Sequence, residues 1–206
     1  MPFVSFEGID GCGKTTQLDR LASRLEGEGK IVLRTKEPGG GALGGVVRAI
    51  FTRKDAPPMS HMEQMLLVNA ARFDHVRSVI IPALADGAWV LTDRFYDSTF
   101  ALQVFETDVP TALFEMLRDA VVGEVRPDLT FVLDLPAVSA HERRGGRPSD
   151  DPLEQHRDFE RIRRGFRAAA ASDPARCRLI DASGSEEVVG AAIHRELWTR
   201  FSDGRG

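Results

Sequence analysis

The stretch that most limits how this chain can fold is residues 8–16, which read G-I-D-G-C-G-K-T-T. They contain the spacing G-x-x-x-x-G-K-T, preceded by an apolar segment around Phe3 and Phe6 and followed by leucines at helical spacing. A strand, a glycine loop and a helix in this order present backbone N–H groups and the positive end of a helix dipole to a polyphosphate. The stretch therefore predicts a binding site for a Mg²⁺-bound nucleotide.

Individual residues of this loop have distinct predicted tasks. The glycines allow the backbone to approach the phosphates closely, and Lys14 supplies a mobile positive charge for the outer phosphates. The hydroxyl of Thr15 can enter the coordination shell of Mg²⁺. We interpret Cys12 as a small residue at a tolerant loop position rather than as a redox switch.

Length and composition place the chain among ordinary globular proteins. Its 206 residues are enough for one substantial core, so we expect a single domain spanning 1–206. The N-terminus leads directly into the first strand, and no apolar run approaches the roughly 18 residues that cross a bilayer. We therefore expect a cytoplasmic protein without a membrane partner. The net charge of -4 argues against a broad surface for a nucleic acid polymer.

Apolar runs alternate with helical patterns along the rest of the chain, which predicts an α/β fold with a parallel sheet. Strands after the first are predicted at residues 31–33, 89–91, 129–133 and 178–180. Helices are predicted at residues 14–28, 43–51, 60–86, 98–106, 111–122, 153–171 and 185–201. Ser60 and Glu63 have the spacing of a capping box at the start of the third helix, and Pro82 is expected to kink that helix. A basic stretch rich in glycine and proline, about residues 142–153, predicts a mobile lid.

Polar groups follow two of these strands. A Glu-Pro-Gly-Gly-Gly segment, residues 37–41, comes after the second strand, and Asp93 and Arg94 come after the third. The carboxyl ends of parallel strands meet at one edge of the sheet, where ligands bind. Asp93 has two interpretations, binding Mg²⁺ through water or capping the next helix, and we favour the first.

Scattered arginines suggest that two phosphate-bearing substrates face each other in the site. Phosphoryl transfer requires mainly positioning and neutralisation of charge on the transferred group, and arginines provide both. Arg48 and Arg94 are candidates for holding an acceptor phosphate, and Arg143, Arg144 and Arg147 are candidates for closing on the donor. The five histidines show no metal-ligand spacing, so no zinc site is predicted.

Further motifs occur in register with the loop: K-E-P-G-G at residues 36–40, A-A-R at 70–72, I-P-A-L at 81–84, D-R-F at 93–95 and R-P-D-L-T at 126–130. With them, the chain resembles bacterial thymidylate kinases from about residue 3 to residue 201. The resemblance implies a three-layer phosphate-loop (P-loop) NTPase fold with a five-stranded parallel sheet flanked by helices. It also implies transfer of the γ-phosphate of ATP to dTMP, a requirement for Mg²⁺, and a homodimer.

The resemblance further implies roles for individual residues of the donor site. Arg143 lies where the family has an arginine that packs on adenine, and Arg147 falls in the lid stretch that supplies a catalytic arginine. The predicted ATP-binding residues are Gly8, Asp10, Gly11, Cys12, Gly13, Lys14, Thr15, Thr16 and Arg143. The predicted catalytic residues are Lys14, Asp93, Arg94 and Arg147, and the predicted Mg²⁺ ligands are Thr15 and Asp93.

For the acceptor, the resemblance implies that Arg48 and Arg94 bind the phosphate and that Arg72 reads the pyrimidine edge. Asp10 matches a carboxylate near the 3′-hydroxyl of the sugar. The predicted acceptor-binding residues are Asp10, Glu37, Pro38, Arg48, Val68, Arg72, Arg94, Thr99, Leu102 and Gln103.

Two positions of the acceptor site depart from the family pattern. Val68 stands where the family commonly has a phenylalanine that stacks on thymine, and Leu102 stands where it has a tyrosine near the sugar. Loss of a stacking ring costs roughly 1 to 3 kcal/mol of binding. We therefore favour a dTMP kinase and keep two alternatives. One is the same chemistry on another or a 5-modified pyrimidine monophosphate such as 5-hydroxymethyl-dUMP, and the other is a catalytically weak nucleotide-binding regulatory homologue.

Overall fold

A single parallel sheet forms the centre of the molecule. The structure, a computed structural model, describes residues 1–53, 55, 57–145 and 158–202. Within these residues five parallel strands pair in the order β2-β3-β1-β4-β5. The strands are β1 (Phe3–Glu7), β2 (Val32–Lys36), β3 (Trp89–Asp93), β4 (Leu129–Asp134) and β5 (Cys177–Asp181).

The central strand β1 positions the glycine loop. It pairs with β3 on one side and β4 on the other, and all five of its residues are buried. Its apolar side chains reach both faces of the sheet, as expected for a parallel strand covered on both sides. The loop that follows β1 therefore leaves from the middle of the sheet edge, between the ends of β3 and β4.

Helices cover both faces of the sheet. Val4 and Phe6 belong to one buried cluster with Leu21 of the first helix, whereas Phe3 and Val90 belong to a second with other helices. The helices are α1 (Lys14–Gly27), α2 (Gly41–Thr52), α3 (His61–His75), α4 (Ile81–Ala85), α5 (Tyr96–Thr99), α6 (Thr111–Val122), α7 (Ala137–Arg143), α8 (Phe159–Ser172) and α9 (Glu186–Ser202). In the described ranges, no helix has both the length and the hydrophobicity needed to cross a bilayer.

The long helix predicted at residues 60–86 is interrupted. It begins with the predicted capping box, in which the Glu63 amide donates to the Ser60 hydroxyl at 3.2 Å and the Ser60 amide donates to the Glu63 carboxylate at 2.7 Å. The α-helix then gives way to a π-helical segment, Val76–Ile80, immediately before the helix that contains Pro82. The helix type therefore changes twice before Pro82, from α to π and back to α. A second π-helical segment, Phe100–Val104, follows α5 within the region predicted as a regular helix.

The boundaries of the predicted lid need correction. Glu142 and Arg143 belong to α7, a helix that the sequence pattern did not predict. The Ala137 amide at the start of α7 donates to the Glu160 carboxylate at 2.8 Å, so a residue distant in sequence supports this helix. Helix α8 begins at Phe159, after Asp158 as its N-cap, whereas the sequence predicted a start near residue 153. Residues 146–157, with Arg147, lie outside the described residues.

Candidate active site

A cleft of about 1400 Å³ opens at the carboxyl ends of β1, β2 and β3. It brings together residues that are widely separated in the sequence. Nineteen of the predicted site residues line it: Asp10, Gly11, Cys12, Gly13, Lys14, Thr15, Thr16, Glu37, Pro38, Arg48, Val68, Arg72, Asp93, Arg94, Thr99, Leu102, Gln103, Arg143 and Arg144. Gly8 lies directly after β1, where its carbonyl faces Arg94.

The glycine loop between β1 and α1 depends on backbone conformations that favour glycine. Gly11 and Gly13 have φ angles of 87° and 97°, and Gly13 is the N-cap of α1. A Cβ atom at Gly8 would lie 2.6 Å from the carbonyl oxygen of Leu133, which is too close. Lys14 lies buried within the loop, where its ammonium group donates to the Ile9 carbonyl at 3.0 Å. This loop and the first turn of α1 form what we call the donor end of the cleft.

Thr15 and Asp93 place two oxygen atoms side by side. The Thr15 hydroxyl donates to the Asp93 carboxylate at 2.6 Å. Hydroxyl and carboxylate oxygens are the kinds of ligand that Mg²⁺ prefers, so these residues fit the predicted metal. The alternative interpretation of Asp93 does not hold, because among the described residues no side chain caps α5, whose N-cap position is Phe95.

Arg94 connects the donor end to the rest of the cleft. Its backbone has a φ of 73°, a conformation that non-glycine residues rarely adopt and that is concentrated at functional sites. Its guanidinium group donates to the Gly8 carbonyl at 3.3 Å and the Ser98 hydroxyl at 3.0 Å, and it pairs with the Asp10 carboxylate. The arginine is therefore held against the glycine loop by groups on both sides.

Glu7 is a site residue to which the sequence pattern assigned no role. It is fully buried, and it accepts hydrogen bonds from the Phe95 amide at 2.7 Å and the Ser98 hydroxyl at 2.5 Å. Burial, and to a lesser extent the nearby charge of Asp97, raise the pKa of Glu7 to about 8. Glu7 thus fixes the backbone after Arg94 and the hydroxyl that Arg94 contacts. The sequence feature that pointed to it is a carboxylate at the end of a central strand whose residues are all buried.

Arg72 lies in a buried polar cluster at the opposite end of the cleft, which we call the acceptor end. Its Nε donates to the Glu37 carboxylate at 2.7 Å, and one terminal nitrogen donates to the Thr99 hydroxyl at 3.0 Å. The second oxygen of Glu37 lies 2.9 Å from Nδ1 of His75, whose Nε2 lies 2.7 Å from the Thr35 hydroxyl. Arg72 is 2% exposed, so its orientation is set by these partners.

His75 also sets the position of α2, the helix that contains Arg48. Gly40 is the N-cap of α2, and a Cβ atom on Gly40 would overlap the imidazole ring of His75. The sequence analysis did not single out His75. The sequence feature that could have identified His75 is a polar side chain one helical turn after Arg72, in a helix whose other face is apolar.

The remaining predicted residues form the walls of the cleft. Val68 and Leu102 are half-buried apolar residues, and Gln103 is buried and donates to the Gln64 side chain at 3.3 Å. Arg48 is exposed on α2. Arg143 lies on the donor side, where it donates to the carbonyls of Ser183 and Gly184 at 3.2 Å.

A glycine loop after the central strand, an oxygen pair beside it, and an arginine-containing acceptor end in the same cleft define the class of phosphate-loop nucleotide kinases. Comparison with known proteins narrows this class. The family model described as thymidylate kinase matches residues 6–193. The chain therefore belongs to the thymidylate kinase family.

Individual relatives extend over nearly the whole chain. A thymidylate kinase of Bradyrhizobium sp. (strain ORS 278) is 40% identical over 206 residues, covering 96% of this chain and 91% of the relative. One of Caulobacter vibrioides is 43% identical over 196 residues, covering 93% of each protein. The crystal structure of thymidylate kinase from Ehrlichia chaffeensis has a TM-score of 0.76 at 31% identity and covers 95% of this chain and 98% of that one.

The titration of Glu7 has a consequence for stability. Its ordinary pKa is 4.5 and the folded value is about 8, so the folded protein holds a proton that the unfolded chain releases. The stability linked to this proton is fully present below about pH 4.5 and is lost as the pH rises towards about 8, by at most about 1.4 kcal/mol per pH unit. We expect the free energy of unfolding, measured by urea denaturation, to fall more steeply over this range in the wild type than in Glu7→Gln.

Ser5→Ala is the matched control for Glu7→Gln. Ser5 is buried in the same strand and shares a hydrogen bond of 2.6 Å with the Thr130 hydroxyl, but it does not titrate. Its loss should lower stability by the same amount at every pH. A difference between Glu7→Gln and the wild type that does not change with pH would contradict this interpretation of Glu7.

Proposed function

We propose that this chain is a cytoplasmic kinase that transfers the γ-phosphoryl group of ATP to dTMP and produces dTDP and ADP. The observation that carries the proposal is that the glycine loop and the Arg72 cluster lie in one cleft, with Arg94 between them. Membership of the thymidylate kinase family supports the choice of nucleotides. Two nucleotides bound at the two ends would meet with their phosphates near Arg94.

At the donor end, the backbone amides of the glycine loop, together with Lys14, Thr15 and Thr16, hold the phosphates of ATP in our proposal. Lys14 is buried beside the loop, so its charge is little screened by solvent. Arg143 packs near the adenine. The catalytic role of Arg147 rests on its place in the predicted lid stretch, since this residue lies outside the described part of the chain.

At the acceptor end, we assign the phosphate of dTMP to Arg48 and Arg94 and the pyrimidine edge to Arg72. Glu37 accepts a hydrogen bond from Nε of Arg72. This contact fixes the plane of the guanidinium group, in which its remaining N–H groups can donate to a carbonyl of the base. We place the sugar of dTMP beside Asp10, the carboxylate that pairs with Arg94. Glu37, Pro38, Val68, Thr99, Leu102 and Gln103 complete the pocket.

Mg²⁺ is the metal we propose for this site, held by Thr15 and Asp93. When bound, it neutralises charge on the phosphates of ATP. The protein's own contribution is positional, because Thr15 is fixed in the first turn of α1 and Asp93 at the end of β3.

A coupled assay of ADP release tests the reaction and its acceptor. We expect the wild type to phosphorylate dTMP faster than dUMP, 5-hydroxymethyl-dUMP, dCMP or UMP. Lys14→Met should lower kcat on the order of 10² to 10³-fold, because it removes a preorganised charge from the transferred phosphoryl group. Lys30→Met, in the turn between α1 and β2, is the matched control and should keep the wild-type rate.

Other results of this assay would favour the alternatives. Turnover of 5-hydroxymethyl-dUMP that exceeds turnover of dTMP would identify a 5-modified acceptor. A wild type that binds ATP but phosphorylates none of these nucleotides would point to a regulatory homologue.

The metal site is tested by varying Mg²⁺ at a fixed concentration of ATP. Thr15→Val keeps the shape of the side chain but removes its oxygen, so the Mg²⁺ concentration at half-maximal rate should rise roughly tenfold or more. Thr199→Val, on the distant helix α9, should leave this concentration unchanged. An unchanged Mg²⁺ dependence in Thr15→Val would refute the assignment of this ligand.

We also infer a homodimer formed through α2 and α3. These helices pack against each other and carry exposed apolar side chains: Val46 is 56% exposed, Leu66 48% and Phe73 43%. Leu66 and Phe73 are seven residues apart and therefore share one face of α3. Clustered apolar surface of this kind is typical of interfaces between proteins.

Sedimentation velocity tests this assembly. The wild type should sediment as a dimer, and the double variant Leu66→Glu with Phe73→Glu should shift towards the monomer because charge would be buried at the interface. Val188→Glu, which changes an exposed apolar residue on α9, should remain dimeric. A wild type that is monomeric at every concentration would rule the dimer out.

A further inference from the structure

We infer that Arg161 of α8 is a positioning residue for the acceptor nucleotide, because it closes the end of the π-helical segment whose side chains line the acceptor pocket. The inference rests on the proposed function, since it takes Leu102 and Gln103 as contacts of dTMP. Arg161 itself does not line the cleft among the described residues.

The end of a helix leaves carbonyl groups without partners in the helix. The π-helical segment Phe100–Val104 ends abruptly: the Phe105 amide donates to the Phe100 carbonyl at 2.8 Å, and Phe105 itself is extended. Glu106 then has a φ of 54°, which turns the chain away from the helix axis. The Val104 carbonyl accepts from the Thr107 amide at 3.1 Å, whereas the carbonyls of Leu102, Gln103 and Phe105 take their partners from side chains.

Two side chains provide these partners. The Thr107 hydroxyl lies 2.7 Å from the Gln103 carbonyl and 3.0 Å from the Val104 carbonyl. Arg161 donates one terminal nitrogen to the Phe105 carbonyl and the other to the Leu102 carbonyl, the latter at 3.4 Å. A positive charge also interacts favourably with the carboxyl end of a helix. Thr107 and Arg161 together thus determine where the segment ends.

Helix α8 also packs against the π-helical segment Phe100–Val104. Gly165 lies four residues after Arg161, on the same face of α8, and a Cβ atom on Gly165 would be 2.9 Å from Cα of Ala101. Helix α8 therefore contacts the segment at close range as well as capping it. Leu102 and Gln103, which follow Ala101, line the cleft. A shift of the segment would move these two side chains relative to a bound nucleotide.

Arg164, on the same helix, is the residue with which Arg161 can be compared. It pairs with the Glu106 carboxylate at 2.6 Å, and the two side chains are 52% and 48% exposed. An exposed ion pair of this kind contributes little to stability. Arg164 thus matches Arg161 in residue type and helix, and nearly in position, but differs in its partner.

The experiment measures kcat and the KM values for dTMP and ATP in Arg161→Met, Thr107→Val and Arg164→Met. We expect the first two variants to raise the KM for dTMP about tenfold, because the pocket wall is displaced from the nucleotide, and to leave the KM for ATP within about twofold. Arg164→Met should match the wild type. Thr107→Ser, which keeps the hydroxyl, should also match the wild type, and Arg161→Lys should fall between Arg161→Met and the wild type.

Each outcome has a clear meaning. An Arg161→Met variant that melts at a lower temperature but keeps the wild-type KM for dTMP would show a merely structural role and overturn the inference. Equal rises in the KM values for dTMP and ATP would also overturn it, because they would indicate general damage. If Arg161→Met does not fold, Thr107→Val decides by the same criterion. A wild type without activity on dTMP would instead refute the proposed function.

Discussion

The hydrogen bonds of one buried carboxyl group, that of Glu7, join the two loops on which the cleft depends. Through the Phe95 amide and the Ser98 hydroxyl, Glu7 fixes the chain that follows β3 against the chain that follows β1. Arg94 can then keep its unusual backbone conformation, because the structure around it compensates for the strain. The donor end and the acceptor end meet at this point, so their relative position depends on a group that is closed off from solvent.

The parts of the fold that were predicted correctly depend on short-range signals. The glycine spacing around Lys14, the apolar runs and the capping box at Ser60 each act within a few residues, and the structure confirms the strands and the α/β class that they indicate. The polar residues after β2 and β3 were expected at one edge because parallel strands end together, and Glu37 and Asp93 both line the cleft there.

The features that were missed depend on contacts between distant residues. Helix α7 is short and obtains a partner for its first amide from Glu160, which no local pattern reveals. The π-helical segment after α5 has the apolar spacing of an ordinary helix, and two of the carbonyls at its end are bound by Arg161, more than fifty residues away. The importance of His75 follows from its simultaneous contacts with Glu37, Thr35 and Gly40, which the fold alone brings together.

The close approach of Gly40 to His75 has a geometric consequence. One unbroken series of contacts leads from Arg72 through Glu37 and His75 to Gly40, the N-cap of α2, the helix that contains Arg48. The start of α2 is thereby fixed relative to Arg72, while the Arg48 side chain itself is exposed on that helix. Under the proposed assignment of Arg72 to the base and Arg48 to the phosphate, this packing favours nucleotides of matching length from ring to phosphate, because a longer or bulkier ligand would have to deform a closely packed interior.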